Sequence, residues 1–191
     1  MIKTIILLPD GFEEIEALTV VDVLRRADIT CDMCSMEGVN VRGSHNIQIT
    51  ADILFDKADF GRYDAIILPG GMPGSTNLRD NERVIEVLRK FNSSNKPICA
   101  ICAAPIALER AGIVEKRCIT SHPSVQDQLT ACTYMEEITS EDGNIITSRG
   151  PASAIYFALH ILKKLGFESN ADELKKSMML SFVEEKIKKE F

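Results

Sequence analysis

The stretch "ICAICAAPIAL" (98–108) is an apolar run that halts at Cys102 and restarts as a proline-led segment. A short apolar run bounded by a turn is the pattern of a strand buried on both faces. Pro105 suits the first turn of a helix, where its missing N–H would have no partner. The stretch therefore reads as strand, tight joint, helix. Working outward, the same alternation recurs along the chain. "IKTIILL" (2–8) reads as a buried strand followed by a helix from about Glu13 to Ala27, and "ITCDMCS" (30–36) as a second strand. "VNVRGSHNIQITAD" (39–52) has two β-like runs around Gly43-Ser44, a hairpin excursion. "YDAIILPGG" (63–71) is a strand ending in a glycine pair, with a helix predicted over 77–91. "KPICAIC" (96–102), "KRCIT" (116–120) and "NIITSRGP" (144–151) are further strands, followed by helices to Gly112, over 152–165 and at the end of the chain. Strands alternating with helices predict an α/β fold whose mostly parallel sheet is covered on both faces. No linker, repeat or low-complexity segment interrupts it, so residues 1–191 read as one domain.

Charge and termini narrow the class. The net charge of −6 comes without a run of Lys or Arg, which argues against nucleic acid as a partner. "MIKTIILLPDG" (1–11) breaks too early for a signal peptide, and no stretch reaches the roughly 20 apolar residues of a membrane span. A cytoplasmic protein is expected, and that compartment keeps its six cysteines reduced.

In open α/β sheets, ligands bind beyond the carboxyl ends of the strands. The residues there are Asp10-Gly11, Gly70-Gly71, Cys102, Ser121-His122 and Ser148-Arg149-Gly150. Cys102 is flanked by Ala100, Ala103 and Ala104, the small-residue spacing of a nucleophile elbow. Such a turn strains the nucleophile, and helix N–H groups behind it favour thiolate. Cys31, Cys34, Cys99 and Cys118 fall inside strands and Cys132 in a weak β-like run, so packing explains them. The CxxC spacings Cys31–Cys34 and Cys99–Cys102 lie along strands, and no metal is expected from them. Gly70-Gly71 offers backbone N–H groups to an anion or oxyanion, without the further glycines of a nucleotide loop. His122 can pair with a thiol, whereas His45 and His160 lie in the hairpin and mid-helix. On a helical wheel Glu13 and Glu16 both turn inward and the wheel does not choose between them; a buried carboxyl there would stay protonated near neutral pH.

Together "GFEEIEALTVVDVLRRADI" (11–29), "YDAIILPGG", "ICAICAAPIAL", "TSHP" (120–123) and "ITSRGPASAIYFAL" (146–159) resemble the DJ-1/ThiJ/PfpI family, and its DJ-1 branch most, over nearly the whole chain. The resemblance implies a flavodoxin-like three-layer α/β sandwich and a homodimer without a cofactor. It makes Cys102 the reactive cysteine, Glu16 the acid bonded to it and His122 the nearby imidazole. Gly71 and Ala103 become the oxyanion N–H donors, and Gly70, Arg26 and Arg149 fall near the pocket or the subunit interface.

Two departures stand out. His45 replaces an arginine of the animal proteins, and Thr50 replaces a second oxidisable cysteine. Family peptidases carry histidine directly after the nucleophile, where this chain has Ala103, which counts against a peptidase. The functions left are turnover of small reactive carbonyls such as methylglyoxal, of glyoxalase or deglycase type, and oxidative-stress sensing through peroxide oxidation of Cys102. A protective chaperone is a further alternative.

Overall fold

The computed structural model describes residues 2–190. In chain order the elements of the first half are β1 (Lys3–Leu8), α1 (Glu14–Arg26), β2 (Thr30–Ser35), β3 (Asn40–Arg42), β4 (Gln48–Thr50), β5 (Ile53–Leu54), β6 (Ala65–Leu68), α2 (Gly74–Asp80) and α3 (Glu82–Ser93). The second half holds β7 (Ile98–Ile101), α4 (Pro105–Ala111), β8 (Cys118–Ile119), β9 (Thr133–Tyr134), β10 (Thr139–Asp142), β11 (Ile145–Ser148), α5 (Ala154–Lys164), α6 (Glu168–Ser177) and α7 (Leu180–Glu190).

Seven strands form the central sheet in the order β10-β11-β7-β6-β1-β2-β5. All its pairings are parallel except β10 with β11. Alternation along the strands splits the apolar residues between two cores. Ile5, Leu7, Ile66, Leu68 and Ile98 face α3 and α4, while Ile6, Leu8, Ile67, Cys99 and Ile101 face α1 and α5. This is the expected three-layer sandwich. β3 and β4 form the expected hairpin, standing off the main sheet.

Two expectations give way. The helix predicted over 77–91 is two helices, because Asn81 adopts an extended backbone and its side chain caps α3 through the Arg83 and Val84 N–H groups. β8 does not join the central sheet; it pairs only with β9. With few apolar residues to bury on both faces, the short "KRCIT" run fits a side ribbon better than a central position. Among the described residues, no helix is long and apolar enough to cross a membrane.

Candidate functional site

The candidate site lies where β6, β7 and β11 end and α1 begins. β7 closes at Ile101, and Cys102 follows with φ at 63°. A non-glycine residue in that region carries roughly 1–3 kcal/mol of strain, so its surroundings must hold it. They do so through the backbone: Cys102 N–H donates to the Ser148 carbonyl at 2.9 Å, and the Cys102 carbonyl accepts His122 N–H at 2.8 Å. The elbow inferred from small flanking residues is thus present. Ala103 and Ala104 are both buried, so larger side chains there would meet packed neighbours.

Glu16 comes from the first turn of α1. Glu13 is the N-cap, its carboxylate accepting Glu16 N–H at 2.7 Å. That cap turns Glu16 inward, where it is 0% exposed. The structure therefore decides between the two inward-facing glutamates: Glu16 meets the thiol and Glu13 holds the helix start. Glu16 Oε2 accepts Gly70 N–H at 2.7 Å, whereas its Oε1 is buried without a conventional partner. The group facing this carboxyl is the Cys102 thiol.

Burial pushes the Glu16 carboxyl up to about 7; the Cys102 and Gly70 hydrogen bonds pull it down, and Glu13 charge adds to the rise. The Cys102 thiol is also pushed up, by burial first and then by a charged Glu16, while the N–H groups of Ala103 and Gly71 pull it down. This corrects the expectation of a thiol lowered by the helix start. The two N–H groups do face the sulfur, but loss of water outweighs them. Each group's charge penalises the other's, so near neutrality the thiol keeps its proton while Glu16 passes from carboxylic acid to carboxylate.

Gly70 and Gly71 are required by space. A Cβ on Gly70 would lie 2.6 Å from both Cys102 Cβ and Glu16 Oε2. Gly71 has φ at +93°, and its Cβ would lie 2.4 Å from Glu13 N. His122 hydrogen-bonds the elbow through its backbone N–H. Its Nδ1 lies 2.8 Å from Ser124 Oγ and accepts Ser124 N–H at 3.2 Å, so the ring caps the following turn. His122 and Arg149 line a cleft of about 490 Å³ beside the elbow, with Ile138 and Tyr156. Arg149 Nη1 is buried there without a partner. Arg26 lies at the other end of α1 from Glu16, exposed and paired with Asp22 at 2.7 Å, and takes no part in the thiol site. A larger cleft of about 700 Å³, lined by Asp10, Glu37, Asn40 and Asn77 among others, includes neither Cys102 nor Glu16.

A strained cysteine at a strand-to-helix elbow, a buried carboxyl against it and two backbone N–H groups on the sulfur make up the candidate site. The DJ-1/PfpI family model matches residues 2–164, and the chain belongs to that family. Drosophila melanogaster DJ-1beta, in its crystal structure, superposes with a TM-score of 0.90 at 34% identity, covering 93% of this chain and 97% of that one. Arabidopsis thaliana Protein DJ-1 homolog B is 36% identical over 179 residues, 92% of this chain but only 41% of that longer protein. A Pyrococcus horikoshii protein named Deglycase PH1704 is 29% identical over 165 residues, 85% of this chain and 99% of its own length.

Sequence reasoning missed the Ser148 carbonyl that anchors Cys102 and the double role of Gly70. No local signal marks either, because each is a backbone contact across distant segments.

Proposed function

We propose that the chain is a cofactor-independent enzyme acting on small 2-oxoaldehydes such as methylglyoxal, or their adducts, in glyoxalase or deglycase fashion. The observation that carries this reading is the buried Glu16 carboxyl against a thiol that also receives the Gly71 and Ala103 N–H groups. Cys102 Sγ adds to the aldehyde carbon, and the carbonyl electron pair moves to oxygen. The N–H groups of Gly71 and Ala103 hold that oxyanion while it takes up the thiol proton through Glu16. The Glu16 carboxylate then removes the C–H proton of the hemithioacetal and returns it to the neighbouring ketone carbon, while the hemithioacetal hydroxyl proton passes to the ketone oxygen. One carbon is oxidised to a thioester and its neighbour reduced to a carbinol, so no outside electron acceptor is needed. Water hydrolyses the thioester, releasing the hydroxy acid and the free thiol. A carboxyl whose pKa lies at about 7 exchanges protons in both directions at neutral pH.

The test is hydroxy-acid production from methylglyoxal by wild type, Cys102→Ser and Glu16→Gln. Each variant should fall by at least about 100-fold, the usual contribution of a positioned acid or base. Wild-type turnover in either variant refutes the mechanism.

The same groups favour a second reading, oxidative-stress sensing. A sulfinate on Cys102 would accept from Gly71, Ala103 and a protonated Glu16. Mild peroxide followed by intact mass and peptide mapping should then add two oxygens at Cys102 alone; oxidation spread over all six cysteines speaks against it. A protective chaperone role would show as suppression of client aggregation that survives Cys102→Ser. The family reading also carries a homodimer, which light scattering on the purified chain tests directly.

A further inference from the structure

Glu13 and Glu14 stand at the start of α1, and the turn between β3 and β4 lays His45 across them. Each carboxylate uses one oxygen on the backbone. Glu13 Oε2 accepts Glu16 N–H at 2.7 Å, and Glu14 Oε1 accepts the N–H groups of His45 at 2.8 Å and Ile47 at 3.3 Å. The second oxygens converge on one imidazole nitrogen. His45 Nδ1 lies 2.9 Å from Glu14 Oε2 and 3.8 Å from Glu13 Oε1, with the three donor atoms all within 4.8 Å of one another. Glu13 is 6% exposed, yet its Oε1 makes no hydrogen bond among the described residues. Nor does any Lys or Arg there pair with either carboxylate, so an imidazole alone stands against two buried acids.

We propose that Glu13, Glu14 and His45 bind a divalent transition ion, with Zn²⁺ the species that fits best. Two carboxylates and an imidazole suit Zn²⁺, Co²⁺ or Ni²⁺ better than Mg²⁺ or Ca²⁺, which prefer oxygen alone. A tetrahedral ion with bonds of about 2.0–2.1 Å holds its donors roughly 3.3 Å apart. The observed 2.9 and 3.8 Å bracket that separation, and the exposed His45 ring can adjust to it. The backbone bonds to the outer oxygens fix each carboxylate as an outer shell does in metal sites. The positive end of α1 opposes a cation with about half a unit of charge, which two carboxylates outweigh. A fourth position is open to water or to Ser44 Oγ, 3.4 Å from Glu14 Oε2. The site uses neither Cys102 nor Glu16, and it ties the hairpin to the helix start. Sequence spacing gave no sign of it, because the histidine lies 31 positions from Glu14.

The experiment is Co²⁺ titration of the full chain followed by absorption, with Zn²⁺ competition, on wild type, Cys102→Ser and His45→Gln. The expected result is one displaceable Co²⁺ per chain without thiolate charge-transfer absorption, unchanged in Cys102→Ser. His45→Gln should weaken binding at least about tenfold, since loss of a direct ligand costs no less than loss of an outer-shell partner. In parallel, diamagnetic Zn²⁺ should shift the imidazole resonances of His45 and leave those of His122 and His160 in place. Absence of saturable binding below millimolar ion, or binding that needs Cys102 and ignores His45, overturns the proposal.

Discussion

Gly70 and Glu16 are 54 positions apart in sequence and clasped in space: Gly70 N–H donates to Glu16 Oε2 at 2.7 Å, and the Gly70 carbonyl accepts Glu13 N–H at 2.9 Å. The end of β6 thereby fixes the first turn of α1 and aims its acid at the thiol. Position and protonation of the carboxyl are set together, because the contact that excludes water also supplies one hydrogen bond.

Gly70→Ala should break this clasp. Its Cβ would meet Cys102 Cβ and Glu16 Oε2 at 2.6 Å, with Ala103 N at 3.1 Å, and all three belong to the site itself. Overpacking of this kind costs about 1–3 kcal/mol. Urea denaturation should show that loss together with loss of methylglyoxal turnover. Gly38→Ala is the control, since only Asn40 O lies near its added methyl, at 4.0 Å, and it should stay within about 0.5 kcal/mol of wild type. Equal stability in the two variants would contradict the packing argument.

Glu16 should make stability fall as pH rises. Its folded pKa, about 7, lies above the ordinary 4.5. Between those values the folded chain holds a proton that the unfolded chain has released, so raising pH through that window favours unfolding. Below pH 4.5 both states are protonated and the penalty is absent; above about 7 it is complete. At 1.36 kcal/mol per unit it amounts to at most roughly 3 kcal/mol. Glu16→Gln removes the titration. Denaturation at pH 5 and pH 8 should therefore show the variant gaining on wild type at the higher pH. Parallel pH profiles would sink the assignment.

The sheet was legible in sequence because both-face burial writes continuous apolar runs, as in "IIL" (66–68) and "ICAI" (98–101). The elbow was legible because a tight turn excludes bulk around Cys102. The wheel narrowed the acid to Glu13 or Glu16 but could not choose, since the choice depends on Glu13 serving as N-cap. The thiol's environment was misread for a related reason. N–H groups behind Cys102 follow from chain order, whereas the water-excluding contact with Glu16 follows from tertiary packing. β8 was misplaced because a five-residue β-like run does not record which strand it pairs with.

Alkylation of Cys102 should report the titration of Glu16. As Glu16 releases its proton near pH 7, its charge changes the neighbouring thiol's tendency to ionise. Iodoacetamide rates at Cys102, followed by peptide mass, should show an inflection near pH 7 in wild type and none there in Glu16→Gln. Cys31 and Cys34 are buried and pushed up to about 12, and Cys99 is likewise pushed up by burial, so all three should stay unlabelled in the native chain. An identical profile in both proteins would show that the two groups titrate independently.

His45 should titrate above its ordinary value, because the Glu14 carboxylate hydrogen-bonds its Nδ1 and favours the charged ring. Glu14 is correspondingly held below its ordinary value; burial opposes this, and the His45 side chain with the His45 and Ile47 N–H groups outweighs it. A raised histidine stabilises the fold below its unfolded pKa and loses that contribution as pH rises through the folded one. A lowered carboxyl contributes above its unfolded pKa and loses it as pH falls through the folded one. The clasp between the hairpin and α1 is therefore strongest between the two transitions. In chelator-treated protein, the His45 imidazole resonances should give a midpoint above 6.5 that returns toward it in Glu14→Gln. Amide exchange at Ile47 should quicken in that variant, since its N–H loses a charged acceptor. A His45 midpoint unmoved by the substitution would show that the ring does not sense Glu14 in solution.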